Sequence, residues 1–273
     1  MTNKKTIIAI ALFSIITLIA IILIVIVGTL ADKNNYSDRN DSGFNNNGYG
    51  NYQKNQKSSY TEQNLPKFIK ENYIDLNLIG FVSQFRSDNG HDFSDETAKC
   101  SSMKHYFEFP LGKRLDVNGP NGIPADPTAQ NGVPIYAPVD GTILDIQSEV
   151  FPLGKQLHIQ VKDYTDFKVR LFHIYPLITL KVGQQVKAGD QIGLINMGQG
   201  TDIAVEANIN SNRRFYSIFE LMTDQLFQKY IQKGASSRDE FILSEQYRKE
   251  NPLTCNGQQF TNHSETWKEW VAF

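Results

Sequence analysis

Between Val133 and Ile209 the chain repeats one pattern that leaves little freedom in choosing a fold: apolar residues alternate with polar ones, and glycine or proline breaks each run. Val133-Pro134-Ile135-Tyr136-Ala137-Pro138-Val139 has period two, Asp140-Gly141 supplies a turn, and Thr142-Ile143-Leu144-Asp145-Ile146 leaves it. Gln156 to Val161 and Val169 to Ile174 read as two further strands. Period two puts one face of each strand against a core, so this stretch predicts an antiparallel β domain. Pro134 and Pro138 imply that their strand lies at an edge or carries irregular pairing, because a proline has no N–H to donate to a ladder. Upstream, the folded part begins near Leu65, and Ile79-Gly80-Phe81-Val82 reads as a first strand. The Gly-, Pro-, Asn- and Asp-rich stretch from Phe109 to Asn131 reads as a long loop.

After Asn210 the texture changes. Phe215, Ile218, Phe219, Met222, Leu226 and Tyr230 fall on one helical face ending at Gly234. A second helix is expected from Ser236 or Ser237, and a short third one from Ser264, with Trp267 and Trp270 on one face as a lid on the β core.

The N-terminus decides the compartment. Ile7 to Gly28 carries no charge, and as a helix it would be about 33 Å long against roughly 30 Å of hydrocarbon. Lys4 and Lys5 precede it and Asp32 follows, so the positive-inside bias makes it a single-pass signal anchor with everything after Ala31 extracellular. A cleaved signal peptide ending at Thr29-Leu30-Ala31 is the rival, and the apolar run is long for one. Residues 32–64 are Asn, Gly, Ser and Tyr with almost no aliphatic side chains. They read as a disordered tether with a reach of roughly 30 Å. Asn35, Asn40 and Asn262 each begin an Asn-x-Ser sequon, usable outside the membrane where the source glycosylates. Cys100 and Cys255 are the only cysteines. An oxidising compartment favours their pairing, worth on the order of 5 kcal/mol for so long a loop.

A net charge of -2 gives no field for phosphate neutralisation and excludes nucleic-acid partners. No Gly-rich phosphate loop, Gly-x-Ser-x-Gly elbow or His-Glu-x-x-His helix occurs, so nucleotide and serine-hydrolase chemistry have no carrier. With two cysteines and five histidines, any metal site has to be built from His and carboxylates.

Two phrases carry a resemblance. Gly132-Val133-Pro134-Ile135-Tyr136-Ala137-Pro138-Val139-Asp140-Gly141-Thr142-Ile143 and Leu180-Lys181-Val182-Gly183-Gln184-Gln185-Val186-Lys187-Ala188-Gly189-Asp190-Gln191-Ile192-Gly193, with Phe172-His173-Ile174 between them, resemble the β core of lysostaphin-type zinc endopeptidases, the peptidoglycan-cleaving family with the duplicated hybrid motif. The resemblance covers roughly residues 130–209. It implies a mainly β, lysostaphin-like sandwich at 65–210; outside the resemblance, the residues themselves read as an α-helical extension at 211–273 and, in front, a cytoplasmic stub (1–5), a transmembrane anchor (6–31) and the tether (32–64).

Such a site requires a His-x-x-x-Asp pair, a mid-chain His and a terminal His-x-His around a zinc-bound water. His173 matches the mid-chain position. The terminal motif reads Asp202-Ile203-Ala204, so a methyl group stands where the third ligand belongs and Asp202 replaces the other histidine. For the first pair there are two candidates, His91 with Asp95 at the correct spacing but far upstream, and His105, closer but without its Asp. His158 and His263 read as sheet-surface and loop histidines. The expected function is a catalytically degenerate, membrane-anchored module in cell-envelope binding, structure or regulation, with no cofactor. The alternative is an active zinc metallohydrolase in which His173 and Asp202 act on water and His91, Asp95 and His105 supply the metal site. The expected partners are the membrane and an envelope polymer or protein.

Overall fold

The computed structural model describes residues 60, 61, 64–110, 132–149, 154–196, 200–209, 212–263 and 267–273. The chain divides into units at 1–56 and 57–273, and all described residues belong to the second. The expected anchor, most of the tether, Asn35 and Asn40 lie outside the described residues. Among the described residues no helix is long and apolar enough to cross a membrane.

In chain order the strands are β1 (Phe81–Ser83), β2 (His105–Glu108), β3 (Gly132–Tyr136), β4 (Gly141–Ser148), β5 (Lys155–Val161), β6 (Phe167–Pro176), β7 (Gln185–Val186), β8 (Gln191–Asn196), β9 (Thr201–Ile209), β10 (Asn212–Tyr216), β11 (Cys255–Asn256), β12 (Gln259–Phe260) and β13 (Trp270–Ala272). The main sheet runs β13-β1-β2-β9-β6-β5-β4-β7, and β10 shares the outer edge of β9 with β2. All these pairings are antiparallel. β3 pairs with β8 alone among the described strands, an edge position of the kind its prolines imply.

β9 organises the molecule. Ile203, Val205 and Ala207 project into the main core with Phe167, Val169 and Leu171 of β6. Asp202, Ala204 and Glu206 therefore point to the opposite face, where a smaller apolar cluster of Phe85, Phe93, Met103, Phe172, Ala204 and Phe215 sits. That second face is covered by the segment between β1 and β2, stapled to the C-terminal region by the Cys100–Cys255 disulfide.

β6 pairs with β5 along one edge and changes partner along the other. Phe167 to Leu171 pair with β9, whereas Tyr175 and Pro176 pair with β8. The change falls at His173, whose backbone is left-handed at φ 64°, a conformation that costs a non-glycine residue and needs its surroundings to hold it. Gly154 makes room for it: a Cβ there would lie 3.0 Å from the His173 carbonyl carbon.

The C-terminal part differs from the expected helical extension. Phe215 and Tyr216 lie in β10, not in a helix, because β2 covers only Thr201 to Ile203 of the β9 edge and β10 pairs with the remainder, from Val205 on. Short helices follow at Ile218–Leu221, capped by Ser217 and Glu220, and at Asp224–Gln232, capped by Thr223. A 3-10 turn at Arg238–Phe241 and a helix at Glu245–Glu250 complete the set. Phe219 stacks on Phe241 at 3.8 Å between ring centroids. Trp270 is in β13, not on a helix: Val271 is buried while its neighbours face outward, a period of two that pairs with β1. Packing also starts before Leu65, since the Tyr60 hydroxyl donates to Asp166 at 2.5 Å.

Candidate functional site

Five polar side chains form a chain across the second face of the sheet. The Glu149 carboxylate, at the end of the β4 hairpin, accepts from both the backbone N–H of His173 (2.9 Å) and its Nδ1 (3.0 Å). It thus stabilises the left-handed backbone and fixes the ring, leaving Nε2 aimed at Asp202 Oδ1, 3.1 Å away. Asp202 Oδ2 meets Lys104 Nζ at 2.8 Å, and Lys104 Nζ lies 3.2 Å from His91 Nε2. Neither contact of the Asp202 carboxylate is aligned as a hydrogen bond, so charge holds them. Phe172 and Phe93 bring their rings to 3.8 and 4.5 Å from Lys104 Nζ, a cation–π enclosure.

The side chains of Lys104 and Asp202 are 2% and 0% exposed and that of His173 is 24% exposed, so water screens this chain little. Burial alone would raise the Asp202 carboxyl, but the charges of Lys104 and His173 outweigh it and hold it well below the usual range. Burial would lower His173, yet Asp202 and Glu149 on either side push it up to about 10. His91 is lowered by burial and then by the Lys104 charge. At neutral pH His173 is therefore an imidazolium between two carboxylates, which can neither ligate a metal nor accept a proton.

The candidate residues divide accordingly. His91, His173 and Asp202 come together around Lys104. His105 does not: it faces the main core, with Nδ1 donating to the Ser83 carbonyl (2.8 Å) and Nε2 accepting from the Ser217 hydroxyl (2.8 Å). Strand alternation explains this, since His105 and Lys104 are adjacent and point to opposite faces. Asp95 is also elsewhere, accepting from the backbone N–H of Phe215 at 2.7 Å and from Thr97. Ala204 is buried among Phe93, Phe172 and Phe215. His158 is buried beside Arg170 and Lys168; burial and then those two charges push it down to about 3. His263 is exposed, 4.0 Å from Asp88. Asn262 is exposed and its amide donates to the Pro252 carbonyl at 3.1 Å.

Sequence reasoning missed Lys104 and Glu149. Lys104 carried a signal, standing one residue from a candidate histidine in an alternating strand. Glu149, in a hairpin, carried none.

The donor set does not fit a catalytic zinc, which takes three protein ligands and an open position. Ala204 offers a methyl, His105 and Asp95 are turned away, and an ammonium already lies among the remaining donors. Among the described residues no group of three or more His, Cys, Asp or Glu side chains is arranged to hold a metal ion.

No protein-family model matches the chain, and no curated protein matches it by sequence. Solved structures similar to it include the catalytic domain of the antimicrobial peptidase lysostaphin from Staphylococcus simulans, at 16% identity over 54% of this chain and 98% of that one, with a TM-score of 0.28. Another is the SpoIIQ-SpoIIIAH pore forming complex, at 12% identity over 63% and 99%, TM-score 0.37. A third is Helicobacter pylori Csd3, at 15% identity over 76% and 46%, TM-score 0.34. The chain spans only 52% of the lysostaphin solved in solution and 40% of a zinc containing peptidase from Vibrio cholerae. What this face can do depends on its own side chains.

Proposed function

We propose that this chain is a membrane-anchored extracellular module with a lysostaphin-type β core that has lost hydrolysis and serves the cell envelope by binding, as a structural part or as a regulator. One observation carries the reading: the Lys104 ammonium, paired with Asp202, lies among the polar groups where a hydrolase of this type would need a dication and a basic imidazole. A fold of this kind separates readily from its chemistry. The extracellular side is supported by the charge bias around the apolar run at 7–28 and by the Cys100–Cys255 disulfide, which persists in oxidising compartments. Envelope polymer or envelope protein is the partner class, and Asn262 is a candidate glycosylation site.

The test uses the full chain purified in detergent. Its zinc content after dialysis is measured, and isolated wall material is assayed both for cosedimentation and for release of cleaved peptides. Cosedimentation without stoichiometric zinc or cleavage is expected. Stoichiometric zinc, with wall cleavage abolished in His173→Ala and Asp202→Ala, would establish the hydrolase instead. Protease shaving of intact cells checks the topology, and a protected C-terminal domain would overturn it.

A further inference from the structure

The Lys104–Asp202 pair is more than an ion pair in its surroundings. An amine and a carboxyl group lie 2.8 Å apart, Lys104 immediately before β2 and Asp202 on the neighbouring β9, both almost completely buried. Aromatic rings enclose the amine, at 3.8, 4.5 and 5.8 Å for Phe172, Phe93 and Tyr106. Each partner has a separate proton-transfer group on its far side: His91 Nε2 at 3.2 Å from Lys104 Nζ, and His173 Nε2 at 3.1 Å from Asp202 Oδ1. A purely structural ion pair needs neither histidine. A buried pair of this kind is also weak evidence for stability, because desolvating both charges offsets their attraction.

We propose that Lys104 and Asp202 condense into an intramolecular amide, a covalent bond tying the start of β2 to β9. His91 takes one proton from the Lys104 ammonium, and the neutral Nζ attacks the Asp202 carboxyl carbon, forming the C–Nζ bond. His173 gives its Nε2 proton to Oδ1. The second proton lost by Nζ also passes to Oδ1, the C–Oδ1 bond breaks, and water leaves. The proton held by His91 replaces, through solvent, the one given by His173. One ammonium and one carboxylate thus yield one amide and one water, and no oxidant or reductant is needed. Proximity supplies the driving geometry, since Asp202 is fixed on β9 and Lys104 is held at the start of the β2 that pairs with it. Exclusion of water from the ring-lined site opposes the reverse hydrolysis. His91 is suited to its role because its Nδ1 donates to the Asp92 carbonyl at 3.0 Å, which leaves the Nε2 lone pair turned to Lys104 Nζ at 3.2 Å.

The bond goes beyond the envelope reading: before condensation an ammonium, and after it a neutral amide, stands where a hydrolase would need its metal, and the test reads only mass and peptides. The full chain is reduced, digested with trypsin and mapped by mass spectrometry. The expected product is one species in which the peptide Cys100 to Lys113, uncut after Lys104, is joined to Ala188 to Arg213, lighter than their sum by one water. Lys104→Arg, which keeps the charge but cannot condense, is expected to give the two peptides separately, with a cut after residue 104. His91→Ala is expected to give a mixture of joined and separate species. Complete recovery of the wild-type peptides as separate species, after prolonged incubation of the folded chain at neutral pH, would overturn the proposal. So would a loss of water that maps elsewhere or persists in Lys104→Arg. The wild-type map decides the question even if a variant fails to fold.

Discussion

Acid unfolding should report directly on His105, because the hydrogen bonds of this residue allow it only one charge state in the fold. The Ser83 carbonyl can only accept, so Nδ1 carries the proton. The Ser217 hydroxyl donates to Nε2 while accepting from the Phe219 N–H at 3.2 Å. Protonating Nε2 would break the Ser217 bond and leave a charge between Phe85 and Phe219. Burial accordingly pushes His105 down to about 4, against an unfolded value near 6.5. The unfolded chain then binds the proton first as pH falls. Stability is complete above about pH 7 and declines between 6.5 and 4, by about 3 kcal/mol in all for this one residue. The slope approaches about 1.4 kcal/mol per pH unit. His158, pushed down to about 3, adds to the same limb, whereas Glu220 and Glu269, both raised mainly by burial, act against it. Urea midpoints at constant ionic strength from pH 7.5 to 4.5 measure the sum, and the difference from His105→Asn isolates His105. The variant should be less stable at pH 7, by about 1–3 kcal/mol for the lost core hydrogen bonds, and its limb should be shallower by one proton. An acid limb identical in the two chains would refute the argument.

Four further outcomes follow from the site. Relative to the uncondensed ion pair, Lys104→Ala should destabilise by about 3–5 kcal/mol, because it leaves Asp202 buried with His173 as its only cation. Ala204→His in the otherwise native chain should cost about 1–3 kcal/mol by overpacking the cluster of Phe93, Phe172 and Phe215, without zinc in dialysed protein by metal analysis. Removing the disulfide by Cys100→Ser should lower stability by up to about 5 kcal/mol, read from denaturant unfolding, and non-reducing peptide mapping of the wild type should recover no free thiol. On the alkaline side, His173 is raised to about 10, so its contribution is complete below about pH 6.5 and is lost as pH rises toward 10. His173→Gln should flatten that limb in the same urea series.

The β core was legible because period-two alternation with glycine at the turns has one structural solution. Pro134 and Pro138 correctly implied an edge or irregular pairing, and the strands at 156–161 and 169–174 lie within β5 and β6. The C-terminal segment was less so. Phe215, Ile218, Phe219 and Met222 satisfy a helical period, but Tyr216 and Phe215 also alternate, and only the unfilled edge of β9 decides between the two. Trp270 was misplaced for the same reason: three residues, Trp270 to Ala272, are too few for either period to show, and their state is set by the free edge of β1. Such edges are tertiary facts, invisible to local pattern.

The site was legible in part, and the division runs along strand parity. β9 offered Asp202 and Ala204 on one face, and β2 had to offer a partner from either Lys104 or His105, because neighbours in a strand cannot share a face. Choosing His105 builds a metal site; choosing Lys104 fills it with a fixed cation. Register decides: His105 pairs with Ile203, whose side chain enters the main core, so His105 goes with it and Lys104 joins Asp202. Apolar positions flanking the pair could have revealed this in advance. His105, Phe107 and Phe109 lie two apart, and all are buried. Phe107 and Phe109 belong to the same main core as Ile203, and the larger aromatic side chains fix the parity of the strand. On that face a histidine must remain neutral, and on the other an ammonium needs a carboxylate. Asp202 supplies that carboxylate, 2.8 Å from Lys104 Nζ.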